Sequence, residues 1–219
     1  MNKKCVLIVG GGAAGWMTAA CLNAVLNRDG RDVASISLLE SSVSDSTITG
    51  EATTQEISRF LATIGIDKLQ FLRRAGGTLR HAGKFVNWLN NSGEHFYHTY
   101  SAKRPGSVDM SARKWLKSNR SVPFAETFSA QPQLSEMNLA PLMMGRWNFG
   151  PPLPYGFHVN VPRFTDLLRE VSIAAGVTHH GGRISSAELS ANGDIAAVHS
   201  DNGERIEADL FIDLSLIHI

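Results

Sequence analysis

An α/β fold organised on a parallel, Rossmann-like sheet is predicted by three features of this 219-residue sequence. A short apolar run, Cys5 to Val9, leads directly into a glycine-rich turn, Gly10 to Gly15. An alanine-rich helical stretch follows, Ala13 to about Leu26. A second strand pattern, Val33 to Leu39, then closes on an acidic residue, Glu40. Strand, turn, helix and strand in this order and size form the unit from which parallel sheets are built.

Each element has a local reason. Cys5 to Val9 is apolar throughout, as a strand buried on both faces must be. Val33, Ser35 and Ser37 alternate with Ala34, Ile36 and Leu38, a period of two. Thr53 or Thr54 is the expected cap of a helix carrying Ile57, Phe60, Leu61 and Ile64. Asp67 caps a further short helix through Arg74, stopped by Gly76-Gly77. Leu79 to Leu89 reads as extended, and Asn90 to Tyr155 as a loop-rich excursion on the substrate side. Asn160 and Pro162 then open a helix whose stripe is Phe164, Leu167, Leu168 and Val171, ended by Gly176. Arg183–Leu189, Ile195–His199 and Arg205–Ala208 read as strands joined at Asn192-Gly193 and Asn202-Gly203, both hairpin signals. Leu210-Phe211-Ile212 is one more buried, parallel-type strand.

The bulk properties narrow the function classes. A net charge of +1 points neither to nucleic acid nor to an anionic membrane. Two cysteines, Cys5 and Cys21, make no disulfide framework and suit a reducing, cytoplasmic compartment. Lys3-Lys4 and the apolar run after them imitate a leader peptide, but three glycines interrupt the run after five residues, so secretion is not expected. No stretch approaches the roughly 18 apolar residues of a membrane span.

Gly10-Gly11-Gly12-Ala13-Ala14-Gly15 fits G-x-G-x-x-G. The first glycine permits the tight turn, the second lets a pyrophosphate approach the backbone, and the third lets helix pack on strand. The helix N-terminus behind them stabilises phosphate charge. Glu40 ends the second strand 25 residues after Gly15 (40 − 15), where a carboxylate accepts from ribose hydroxyls. The joint pattern indicates dinucleotide binding; by itself it leaves FAD and NAD both open.

Two further motifs carry a resemblance. Gly10 to Met17 reads GGGAAGWM and Gly50 to Thr53 reads GEAT, an ordered pair that resembles the flavin-dependent tryptophan halogenase family. Phe60-Leu61 with Ile64-Gly65-Ile66, Lys84-Phe85 with Trp88, Gly176-Val177 and Asp209 to Asp213 extend the similarity over nearly the whole chain. The resemblance implies an FAD-binding domain of the two-dinucleotide-binding-domain flavoprotein type, with inserted loop-rich and antiparallel β segments. It also implies that reduced FAD, supplied by a separate flavin reductase, reacts with oxygen and halide to give hypohalous acid. That acid would travel through a tunnel to a small aromatic substrate such as tryptophan or indole. The implied cofactor-binding residues are Gly10, Gly12, Ala13, Ala14, Gly15, Glu40, Gly50, Glu51, Ala52 and Val177. Glu51 has a second, purely structural reading as a cap of the following helix.

The sequence departs from the family in two places. Counting back from Lys84-Phe85, Thr78-Leu79-Arg80-His81 matches the family's lysine segment, so Arg80 stands at the catalytic lysine position. A guanidinium donates hydrogen bonds but is a poor nucleophile, so Arg80 is expected to act only as a donor, or halogenation is lost. Lys84, about 13 Å along one strand, is no evident substitute. At the other end, Leu214 and Leu216 replace a small residue and a glycine. The family's W-x-W-x-I-P signature, active glutamate and halide-binding segment would lie further on. The expectation is a C-terminally truncated partial domain over 1–213, with 90–155 as the insertion and 214–219 as a non-native tail. Such a fragment would be inactive and prone to aggregate. The alternatives are a related FAD monooxygenase or oxidoreductase, or a non-catalytic nucleotide-binding remnant.

Other constellations are weaker. His95-x-x-His98 and His179-His180 lack ligand partners at metal spacing, so no metal is expected. Ser46, Thr47 and Thr49 read as loop groups, and no G-x-S-x-G occurs. Trp88, Trp115 and Trp147 are aromatic-pocket candidates of no greater weight than core residues.

Overall fold

A computed structural model describes residues 3–41, 50–100, 107–143 and 153–215. The chain divides into two compact units, one of residues 1–51, 59–76 and 159–219, the other of 52–58 and 77–158. Ser46, Thr47, Thr49, Trp147 and residues 216–219 lie outside the described residues.

The first unit is built on a parallel sheet. Strand β1 (Lys4–Val9) pairs with β2 (Ala34–Glu40) on one side and β12 (Leu210–Asp213) on the other, and β8 (Thr178–Gly181) extends β2. Helix α1 (Ala13–Leu26) connects β1 to β2, and α6 (Val161–Ala174) precedes β8. Val6, Leu7, Ile8 and Val9 are all buried, as a continuous apolar strand covered on both faces requires. Leu7 and Val9 join Leu39, Val198 and Ile206 in one cluster, with Ala208 and Phe211 packed against it. Val198 and Ile206 come from an antiparallel sheet, β9 (Ile184–Leu189), β10 (Ile195–Ser200) and β11 (Arg205–Glu207), ordered β11–β10–β9. Gly193 and Gly203 take φ of 90° and 88° at the two hairpin turns, a conformation that glycine adopts without cost.

Two asparagines fasten α1. Asn27 Nδ2 donates to Asn23 Oδ1 and to the Ala34 carbonyl, while its Oδ1 accepts from the Val33 and Ala34 amides. Asn23 Nδ2 donates to the Ala175 carbonyl. The end of α1 is therefore tied to the start of β2 and to the end of α6. Asn27→Ala leaves partly buried backbone groups without these partners, and a loss of about 1–3 kcal/mol is expected in urea unfolding. An unchanged midpoint would contradict that assignment.

An ion pair on the antiparallel sheet gives a pH signature. Arg205 grips Glu188 through Nε (2.8 Å) and Nη2 (3.0 Å). This hydrogen bonding holds the Glu188 carboxyl at about 2, against an ordinary 4.5. The folded value is depressed, so the contribution to stability is complete above the ordinary value and disappears as pH falls through about 2. A carbon-detected NMR titration should find Glu188 still ionised at pH values where free glutamate is protonated; a midpoint near the ordinary value would contradict this.

Two smaller sheets remain. Strand β4 (Thr78–Arg80) pairs antiparallel with β7 (Gly156–Asn160), within a three-stranded order β3–β7–β4 where β3 is Gly50–Ala52. Strands β5 (Ala82–Val86) and β6 (His95–Thr99) form a separate hairpin, with Phe85 and Phe96 stacked at 5.0 Å. The segment 90–155, expected to be loop-rich, also carries β6, α4 (Ser107–Leu116), a 3-10 helix (Phe124–Thr127) and α5 (Gln131–Glu136). Its weak periodicity has a cause in α5: the buried Gln131 side chain bonds the Pro154 carbonyl, and polar burial leaves no apolar stripe to read. The short helices α2 (Ile57–Thr63) and α3 (Lys68–Arg74) complete the elements. Asp67 caps α3 as expected, accepting from the Leu69 and Gln70 amides. No helix among the described residues is long and apolar enough to cross a membrane.

Candidate functional site

The turn between β1 and α1 is dictated by close approach. Gly10 has φ of 114°, and a Cβ there would lie 2.6 Å from the Leu214 carbonyl oxygen. A Cβ on Gly15 would lie 1.8 Å from the Gly10 carbonyl oxygen, so α1 can begin against β1 only without a side chain at 15. Gly12 differs, because nothing stands within 4 Å of a Cβ placed there. It is the N-cap of α1, with no side-chain cap and no acidic residue in the first turn. The amides of Gly12, Ala13 and Ala14 lack intrahelical acceptors by geometry and sit at the positive end of a 14-residue helix. An uncapped helix start facing open space is what a pyrophosphate needs.

Glu40 stands beside this turn, at the end of β2. Its oxygens take a two-pronged bond from Arg169 of α6, Nε at 3.0 Å and Nη2 at 2.7 Å. His179 Nε2 approaches at 3.1 Å. The Glu40 side chain is 17% exposed. A carboxylate has about four acceptor positions, so three such contacts leave room for about one ribose hydroxyl. Donating hydrogen bonds to the Glu40 carboxylate raises the basicity of Arg169. Its guanidinium carbon also lies 5.7 Å from the centre of the buried Trp16 ring, and His179 is tilted against that ring at 5.4 Å. Gly11 is required here as well, since a Cβ on it would overlap the Glu40 side chain at 2.1–2.4 Å.

A second constellation, in the second unit, surrounds Arg80. Its Nη1 donates to the Thr53 carbonyl (3.2 Å) and to the Tyr100 hydroxyl (2.8 Å), and that hydroxyl donates to the same carbonyl (2.6 Å). Arg80 lies opposite Gly156 on β7. A Cβ on Gly156 would fall 2.4 Å from Thr53 O and 3.0 Å from the Tyr100 hydroxyl, so the missing side chain makes the socket. Thr53 is fixed by a reciprocal pair with Phe157: its amide donates to the Phe157 carbonyl, and its hydroxyl accepts from the Phe157 amide. Burial raises the Tyr100 phenol. Partial burial, and then the Arg80 charge, hold the His158 imidazole below its ordinary value, toward the neutral form.

Comparison with known proteins assigns the architecture. The tryptophan halogenase family profile matches residues 5–216. The chain belongs to the tryptophan halogenase family. It is 29% identical to the tryptophan 7-halogenase RebH of Lentzea aerocolonigenes, over 96% of this chain and 42% of that protein. A crystal structure of a tryptophan halogenase from Shewanella frigidimarina superposes with a TM-score of 0.86 at 30% identity, covering 97% of this chain and 42% of that one. A flavin-dependent halogenase from Xanthomonas campestris gives 0.74 at 28%, with 96% and 42% covered. The chain thus spans about two fifths of the length of the relatives it matches.

Within this halogenase-family frame, the sequence-derived residues separate into two groups. Gly10, Gly12, Ala13, Ala14, Gly15 and Glu40 come together around the start of α1, whereas Arg80 belongs to the second unit. Val177 is buried and its amide already donates to the Ser172 carbonyl. Gly50, Glu51 and Ala52 form β3, and α2 begins six residues after Glu51, so Glu51 does not cap it. Thr53 is likewise no cap, being engaged with Phe157. Arg80 and Lys84 do not share one strand, as the extended reading had it. Arg80 lies on β4 against β7, while Lys84 lies on β5 against β6 and pairs with Glu136 at 2.6 Å. His179 and His180 face Glu40 and Glu204, and no cluster of three metal-ligating side chains exists among the described residues. Trp88 is 68% exposed, beside Leu89 and Phe96 on an open cleft, and Trp115 bonds the Val122 carbonyl. Gly11, Tyr100, Gly156 and Arg169 were not foreseen from the sequence, and His179 stood out only as half of a weak metal pair, not as a partner of Glu40. Only Gly11 had a local signal, as the middle of three successive glycines.

Proposed function

We propose that residues 1–213 form the FAD-binding part of a halogenase that acts on tryptophan or a related indole, with 90–155 on the substrate side. The uncapped start of α1 at Gly12 carries this reading, because an open, positively polarised helix end flanked by two obligatory glycines fits a pyrophosphate. The amides of Gly12, Ala13 and Ala14 receive the phosphates, Glu40 accepts from the ribose with Arg169 holding it in place, and Gly50, Glu51, Ala52 and Val177 line the remainder. FAD, when bound in reduced form, supplies two electrons to oxygen, and halide supplies the other two, so that hypohalous acid, water and oxidised FAD result. The reduced cofactor is delivered by a separate flavin reductase. Arg80 holds the hypohalous acid by hydrogen bonds and does not form a covalent haloamine, because a guanidinium retains its proton.

The test supplies reduced FAD, oxygen, bromide and tryptophan to a polypeptide in which this chain is continued to its relatives' length. Bromotryptophan in the mass spectrum is the expected product. Hydroxylated indole, or peroxide alone, would reject halogenation in favour of an FAD monooxygenase or oxidase.

A further inference from the structure

The geometry points to Tyr100 as the positioning residue of Arg80, locking its guanidinium so that the Nε/Nη2 edge is presented to the reacting halogen species. This rests on the proposed halogenase reading for its purpose, but not for its geometry. Two acceptors, Thr53 O and the Tyr100 hydroxyl, converge on Nη1 alone. With both of its hydrogens engaged, Nη1 cannot exchange places with Nη2 unless both bonds break. The opposite edge, Nε with Nη2, has no partner among the described residues. That same edge is what Arg169 applies to Glu40 and Arg205 to Glu188. Arg80 is therefore held by one corner, with its customary two-pronged edge left over.

Neighbouring residues keep that edge open. A Cβ on Gly83 would stand 3.6 Å from Nη2, so the absent side chain leaves space beside it. Gly156 performs the complementary task, allowing Thr53 O and the Tyr100 hydroxyl to meet where a side chain would intrude. The Tyr100 hydroxyl closes the triangle by donating to the carbonyl that Arg80 also uses, leaving its lone pairs for the guanidinium. A lysine ammonium has no second edge. Orientation about Nε–Cζ matters only for a planar cation, and this gives a tyrosine hydroxyl a purpose beside arginine.

The test is nitrogen-15 NMR of arginine side chains in the present protein, with the Arg80 signals assigned by their loss in Arg80→Lys. Wild-type Arg80 should show two separate Nη environments and slow rotation about Nε–Cζ. In Tyr100→Phe that rotation should be roughly tenfold faster or more, the loss of one charge-assisted hydrogen bond. Sodium bromide should shift the Arg80 Nε resonance in the wild type, and less in Tyr100→Phe at the same concentration. Freely rotating Arg80 in the wild type, equal rotation in Tyr100→Phe, or an Nε resonance indifferent to bromide would each overturn the inference. The two wild-type measurements decide even if the variant does not fold. Neither uses turnover, so a failure to halogenate bears on the proposed reaction alone.

Discussion

Gly15→Ala is expected to abolish the fold of the first unit or to cost well over 3 kcal/mol, because the new methyl would meet the Gly10 carbonyl oxygen at 1.8 Å. The Gly10 carbonyl and the Cα that would carry the methyl both belong to backbone held on each side. Gly10 N donates to Leu39 O, and the Trp16 amide donates to Gly12 O in the first turn of α1. Relief would require α1 to lift off β1. The informative control is Gly12→Ala, at φ −70° with nothing within 4 Å. There the backbone suits alanine, and the lower entropy of the unfolded chain offsets alanine's weaker fit at an N-cap, so stability should stay within about 1 kcal/mol of the wild type. The same methyl would occupy the space proposed for pyrophosphate, so affinity for FAD should fall. Urea unfolding and FAD titration of the two variants separate the roles. A Gly15→Ala protein as stable as the wild type would contradict the packing, and unaltered FAD affinity in Gly12→Ala would contradict the cradle.

Arg169→Leu has the second largest expected effect. It leaves the Glu40 carboxylate, 17% exposed, with His179 as its one remaining side-chain partner among the described residues. A mostly buried charge stripped of its two-pronged partner is costly, and a loss of about 2–4 kcal/mol is expected. Replacing both partners, Glu40→Leu with Arg169→Leu, removes the charge and the need for its partner together, so most of that stability should return. FAD affinity should not return, because the ribose acceptor is gone. Denaturation and binding are thus expected to part company in the double variant. Recovery of both would assign the pair to stability alone; recovery of neither would mean that the pair is not the source of the loss.

The two constellations were unequally legible in the sequence. The cradle is local: Gly10, Gly12, Gly15 and the helix behind them follow one another, and each glycine's task can be stated from backbone sterics. Two of the parallel strands were equally plain, because each is an unbroken apolar run, Val6 to Val9 and Leu210 to Ile212. Only the first is buried; the buried strand expected at Leu210 to Ile212 is instead exposed to half-buried, lying beside β1 on one side only. β8 left no such mark. Thr178-His179-His180-Gly181 is held by its backbone against β2, and its side chains mostly face away from the core. The clamp on Glu40 was hidden for another reason. Arg169 lies 129 positions from its partner and interrupts no apolar stripe on α6. The same holds for Arg80, whose place was found by counting along a motif, while Tyr100 and Gly156 reach it from separate strands or loops. Sequence spacing locates a residue within an element; it does not say which distant hydroxyl or missing side chain completes its surroundings.

The first unit is proposed to hold FAD by its pyrophosphate and adenosine half, at Gly12 and Glu40. Competitive calorimetry with FAD, ADP and FMN on the folded protein tests it most directly. FAD and ADP are expected to bind at one site and displace each other, while FMN, which lacks the pyrophosphate and adenosine, should bind far more weakly. FMN binding as tightly as FAD, or folded protein that binds neither FAD nor ADP, would contradict it.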